Sequence, residues 1–169
     1  MAAPERWEAD QAVVDLYAAH YRSLVRTAAL LLRDPGAAEE VVQDAFVDMH
    51  RAWRRLREPD KAVAYLRQTV INGARSRLRR AATASRHAPE PLPDAASAEQ
   101  EVLVTLERRV IMDALGQLPT RQREALVLRY YADMSEAAIA AAMGITPGAV
   151  KTHASRGIAA LRTRLEMPR

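Results

Sequence analysis

The chain has 169 residues, 49% of them hydrophobic, with no cysteine and a formal charge of +4. That apolar content is enough for folded cores and excludes wholesale disorder. The missing cysteines exclude disulfides and thiolate chemistry, and no apolar run reaches the roughly 20 residues that span a bilayer. The opening "MAAPERWEAD" lacks the basic-then-apolar order of a signal peptide, so a cytoplasmic protein without direct membrane insertion is expected. Alanine, leucine and arginine dominate while glycine is rare, which favours an all-α fold.

From about Glu8 to Arg33, Val13, Leu16, Tyr17, Leu24, Ala28 and Leu31 recur at helical spacing. "RDPGA" breaks the pattern. Asp34 is placed to cap a second helix, with Pro35 at its first position, where a missing N–H is harmless. That helix runs to about Leu56 on a stripe of Ala38, Val41, Val42, Ala45, Phe46, Met49, Trp53 and Leu56. "REPDK" interrupts again, and Asp60 is expected to cap a third helix with Ala62, Leu66, Val70 and Gly73 inward. The three should form a small bundle over 8–80. "AATASRHAPEPLPDAAS" loses periodicity and collects prolines, so 81–96 reads as a flexible linker.

A second helical block is expected over 97–167. Ser97 and Gln100 have capping-box spacing ahead of a helix that turns Val102, Leu103, Leu106, Val110, Ile111 and Leu115 inward. Thr120 is expected to cap the next helix, with Ala125, Leu126, Leu128 and Tyr131 mostly interior. Ser135 should cap a short helix that ends at Met143. Gly144 suits a turn at positive φ, and Pro147 opens a last helix to about Leu165. A short helix, a tight glycine turn and a second helix make a helix-turn-helix. Ile139, Met143, Ile145, Val150, Ala154, Ile158 and Leu161 supply its inner face.

The opposite face of the last helix is Pro147, Gly148, Lys151, Thr152, Ser155 and Arg156, with no bulky apolar group and no acid. Such a face can enter a major groove and aim N–H groups at phosphates, although mixed basic and hydroxyl residues also make an ordinary solvated surface. On the third helix and its end, Lys61, Arg67, Arg75, Arg77, Arg79 and Arg80 form a run of one sign with Asp60 as the nearby acid. The i,i+4 pair Arg75 and Arg79 repel unless a polyanion intervenes, and Asn72 adds a group able to approach bases or backbone. Glu39, Glu40, Gln43 and Asp44 gather on the second helix. The helix dipole accounts for the first acids but not for Asp44, so the patch fits a basic protein partner.

The histidines, His20, His50, His87 and His153, are scattered, and no metal-ligand set, phosphate loop or nucleophile–base set is present. Neither an enzyme nor a cofactor is expected. A plain helix-turn-helix regulator and a helical adaptor remain possible from the residues alone.

The stretches "DPGAAEEVVQDAFVDMHRAW", "AYLRQTVINGARSRLRR" and "LGQLPTRQREALVLRYYADMSEAAIAAAMGITPGAVKTHASRGIAALR" together resemble the extracytoplasmic-function (ECF) group of RNA polymerase sigma factors, in the sigma-70 family, with a further likeness to an actinobacterial SigE-like branch. The resemblance implies a sigma factor that directs core polymerase to promoters by −10 and −35 recognition and melting. Residues 8–80 would be sigma domain 2 and 97–167 sigma domain 4. It implies that Glu39, Glu40, Gln43, Asp44 and Trp53 meet the clamp helices of the largest polymerase subunit. Lys61, Arg67, Asn72, Arg75, Arg79 and Arg80 would contact the −10 element, and Arg57, Glu58 and Asp60 would line a pocket for a flipped base. Pro147, Gly148, Lys151, Thr152, Ser155 and Arg156 would contact the −35 element. Further implied partners are the polymerase flap and an anti-sigma factor. The chain departs from the family's usual pattern at Ala138, His153 and Ala154, and in the scarcity of aromatics where melting occurs.

Overall fold

A computed structural model describes residues 3–84 and 101–166, all of its regular structure helical. The described residues fall into two compact units. In the first, α1 (Ala3–Leu32), α2 (Pro35–Leu56) and α3 (Pro59–Ala84) each pack on the other two. The core joins Leu16, Leu24 and Ala28 to Val42, Ala45, Phe46 and Met49, and to Ala62, Leu66 and Val70.

The Asp34–Pro35 signal acts as its chemistry requires. The carboxylate Oδ1 accepts the Ala37 N–H at 3.1 Å, and Pro35 opens the helix. Other boundaries differ from the sequence expectation. α1 begins at Ala3 rather than near Glu8. Asp60 is not a cap, because α3 already starts at Pro59 and its first backbone bond runs from Ala62 N–H to the Glu58 carbonyl. Asp60 instead places its charge in the first turn, where the helix dipole favours it. α3 also runs on to Ala84, into the expected linker. Ala81 and Ala82 are strong helix formers, and the Thr83 hydroxyl bonds back to the Arg79 and Arg80 carbonyls. The rest of that linker, with Ser97 and Gln100, lies outside the described residues. Tyr17 is largely exposed, stacked on Tyr21 with ring centroids 4.2 Å apart.

The second unit comprises α4 (Glu101–Gly116), α5 (Thr120–Tyr130), α6 (Glu136–Met143) and α7 (Pro147–Glu166). Leu115, Leu118, Leu126, Leu128, Ile139, Met143 and Val150 are buried within it. Thr120 does not cap α5; it is the first helical residue, with Pro119 at the cap position and no side-chain bond. Tyr131 is 46% exposed rather than interior, because α5 ends one residue earlier and the chain turns away. Leu106 and Ile111 are exposed as well; Val102 and Leu103 have no described side chains. Ile158, Leu161 and Ile145 are half-buried.

The helix-turn-helix is built from local chemistry. Ser135 Oγ accepts the Ala138 N–H at 3.1 Å. Gly144 closes α6 at φ 65°, a left-handed conformation that costs a glycine little. Thr146 Oγ1 then accepts the Ala149 N–H at 3.1 Å at the start of α7. From α5, Arg121 Nη1 donates to the Met143 carbonyl at 3.0 Å and ties the turn down. α7 crosses α5 at Gly157, where a Cβ would stand 2.9 Å from Leu126 Cδ1.

Candidate nucleic-acid interface

Pro147, Gly148, Lys151, Thr152, Ser155 and Arg156 are all exposed on α7, opposite buried Val150 and Ala154. The Thr152 hydroxyl donates to the Gly148 carbonyl at 3.1 Å, which leaves its lone pairs outward. No residue on this face of α7 is an acid, but one reaches it from α6. The tight turn brings the start of α6 beside α7, so Glu136 Oε1 lies 3.9 Å from Lys151 Nζ. A pair this long and this exposed contributes little, and Lys151 can exchange it for a phosphate. Among the described residues Arg156 has no carboxylate partner. His153 is half-buried.

Beside this face runs a shallow groove of about 350 Å³ that the sequence pattern did not lead us to expect. Arg129 and Tyr130 from the end of α5 border it, with Lys151, Ser155, Ala159 and Arg162 from α7. Its signal was the helical period itself, since positions 151, 155, 159 and 162 share one side at about 100° per residue.

On α3 the same arithmetic sorts the expected cations. Lys61, Asn72, Arg75 and Arg79 fall within about 60° of arc, while Arg67 and Arg80 lie roughly 100° or more to either side. The set is therefore a long stripe with flanks and not a cluster. Lys61, Asn72, Arg79 and Arg80 are exposed; Arg67 and Arg75 are half-buried. Asn72 Oδ1 accepts from Gln68 Nε2 at 2.9 Å, and Arg80 Nη2 lies 3.4 Å from Ser76 Oγ. Asp60 is not the lone acid nearby. Glu58 pairs with Lys61 at 3.4 Å, and Arg77, which points away from the stripe, pairs with Glu40 of α2 at 2.7 Å. Arg57, Glu58 and Asp60 are exposed at the α2–α3 turn, where Arg57 takes φ 48° and its Nε donates to the Arg54 carbonyl.

Glu39, Glu40, Gln43 and Asp44 are exposed on α2. Glu40 is committed to Arg77, which leaves Glu39 and Asp44 as the freer charges. Trp53 is half-buried and packed on the core, so it offers a partner only its outer edge. Val47, 49% exposed beside these acids, was not among the expected contacts; an apolar residue on a polar helix face was the available signal. The Tyr17 phenol is pushed above its ordinary pKa of 10.0, first by desolvation, then by its hydroxyl contact with Tyr21 and by the negative charge of Glu39. Among the described residues no group of His, Asp or Glu side chains could hold a metal ion, and no helix is long and apolar enough to cross a membrane.

This fold defines a helical protein of two units, the second containing a helix-turn-helix. Comparison with known proteins narrows it. The family model for sigma-70 region 2 matches residues 16–84, and that for sigma-70 region 4 matches residues 108–161. The RNA polymerase sigma-E factor of Streptomyces avermitilis is 37% identical over 144 residues, covering 85% of this chain and 79% of that protein. The ECF RNA polymerase sigma factor SigM of Mycobacterium tuberculosis is 32% identical over 164 residues, covering 94% and 78%. A solved structure of CnrH in complex with the cytosolic domain of CnrY superposes with a TM-score of 0.61 at 28% identity, covering 96% of this chain and 97% of that one. The chain belongs to the ECF RNA polymerase sigma factors of the sigma-70 family and directs RNA polymerase to promoters.

Proposed function

We propose that the two units divide the work of promoter recognition: residues 8–80 bind core polymerase and the −10 element, 81–96 link, and 97–167 bind the −35 element. The observation that carries this reading is the exposed, small and basic face of α7, Lys151, Thr152, Ser155 and Arg156, held outward by two capped helix starts and the Gly144 turn. A face without bulky side chains fits a major groove. At the start of α7 Pro147 carries no N–H and the Ala149 and Val150 N–H groups are bonded to Thr146, which leaves the Gly148 N–H to face a phosphate.

On α3 the stripe of Lys61, Asn72, Arg75 and Arg79, flanked by Arg67 and Arg80, binds the −10 region, where each neutralised phosphate adds affinity through counterion release. The loop of Arg57, Glu58 and Asp60 borders a base flipped from the opened duplex. Unpairing costs a few kcal/mol per base, which the summed phosphate and protein contacts offset. On α2, Glu39, Gln43 and Asp44, with Glu40 and the edge of Trp53, meet the clamp helices of the largest polymerase subunit, and the second unit meets the flap. The protein acts in the cytoplasm as a non-enzymatic initiation factor. The solved complex of CnrH with the cytosolic domain of CnrY supports a further protein partner, which we read as an anti-sigma factor.

Run-off transcription with reconstituted core polymerase and a pool of genomic promoters tests the reading. The folded chain should initiate from a subset of them. The charge reversals Glu39→Lys and Asp44→Lys should weaken core binding by about tenfold or more. A folded chain that initiates nowhere but binds a duplex stably without polymerase would replace this reading with a simple helix-turn-helix regulator.

A further inference from the structure

The groove between α5 and α7 has a chemistry of its own. Arg129, Lys151 and Arg162 surround it, Ser155 and the Tyr130 hydroxyl add neutral hydrogen-bonding groups, and no acid lines it. Among the described residues neither Arg129 nor Arg162 has a carboxylate partner. The Arg129 guanidinium lies over the Tyr130 ring, 5.8 Å from its centroid, which limits the directions it can take. Ala154, Ile158 and Ala159 complete its lining, two of them small side chains.

Geometry decides what such a groove can hold. Lys151 and Arg162 stand about 16 Å apart along α7, at ~1.5 Å per residue. A major groove is only about 12 Å wide. If α7 enters by its first turns, as the second helix of a helix-turn-helix does, its later turns leave the groove and stand at the lip, where the phosphates are. We propose that Arg129, Tyr130 and Arg162 form a backbone clamp on the sugar-phosphate strand bordering the −35 major groove, with Ser155 at its inner edge. The proposal rests on the reading of α7 as the −35 helix. It assigns to α5, outside the helix-turn-helix, a direct part in holding DNA. The clamp sets register and affinity and carries no sequence information, because phosphates are alike at every step. Arg129 also lies in the last turn of α5, where a cation favours the helix dipole. A role confined to that would touch stability and leave DNA affinity alone.

The test uses the full chain assembled with core polymerase on a duplex promoter fragment chosen from the genomic pool, with binding measured across a salt series. The double variant R129Q/R162Q should bind about 10- to 100-fold more weakly near 0.1 M salt. Its slope of log affinity against log salt should flatten by about two, near 0.9 for each phosphate no longer neutralised. Discrimination between the selected fragment and one with a scrambled −35 element should be unchanged. R129K/R162K, which keeps both charges, should restore most of the slope. K151A/R156A should instead reduce discrimination. If R129Q/R162Q leaves the slope unchanged while K151A/R156A weakens binding, the clamp is wrong and the reading of α7 stands. If neither variant alters binding, the −35 role of α7 falls and the clamp with it. A loss of thermal stability in R129Q/R162Q without loss of affinity would assign Arg129 to the helix dipole and overturn the proposal.

Discussion

In the first unit the helix that bears the basic stripe is held by bulk. Ala62, Leu66, Val70 and Ile71 are buried along α3, and the Glu40–Arg77 pair ties its far side to α2. In the second unit α7 is held by details. Its neighbours α5 and α6 have 11 and 8 residues, lengths at which a helix is marginal on its own. Their persistence rests on packing and on end chemistry: the Ser135 cap, the Gly144 turn, the Arg121 bond to the turn and the close crossing at Gly157. A long three-helix core can give up the packing of one side chain and keep its surface. A short helix pair transmits each broken bond to the angle at which α7 is presented.

Core truncation should give the largest effect and test the first half of that contrast. Leu66→Ala removes a fully buried side chain and should cost about 2–5 kcal/mol in urea unfolding of the full chain. A cost below about 1 kcal/mol would mean that the first unit collapses around the cavity and that its core is not what positions α3. Next comes Gly157→Val. The added atoms meet Leu126, itself buried, and should cost about 1–3 kcal/mol by overpacking. The same variant should weaken duplex binding of the assembled polymerase more than an equally destabilising change in the first unit. Equal losses would erase the distinction between bulk and detail. The smallest effects belong to the caps. Asp34→Ala and Ser135→Ala each remove one bond to a helix-end N–H and should each cost about 1 kcal/mol in thermal unfolding. Ser135→Ala should in addition lower affinity for −35 duplex, and Asp34→Ala should not; the reverse order would show that α2, and not α6, is the delicately held element.

Much of this was legible along the chain. Asp34–Pro35, Ser135, Gly144 and Pro147 mark ends because capping and left-handed turns act within one helical turn. The polar face of α7 follows from the 3.6 period. Where local signals misled, the competing signal was also local: Pro59 and Pro119 displaced Asp60 and Thr120 from the caps they were expected to fill. The exposed side of Tyr131 was misjudged because an aromatic at helical spacing fits a core stripe and a half-covered surface equally well.

The sequence by itself determined that the chain is helical, where most helices begin and end, and which residues form the polar side of the last one. Those are properties of neighbours a few positions apart, and backbone hydrogen bonds with steric limits settle them. Only the tertiary structure decided which charges are free. Glu40 and Arg77, separated by 37 positions, meet because α2 and α3 cross where they do, and Glu136 reaches Lys151 because the turn folds α6 onto α7. The groove of Arg129 and Arg162 likewise exists only once α5 and α7 touch at Gly157. A charge acts through distance in space, and that distance is set by how helices cross.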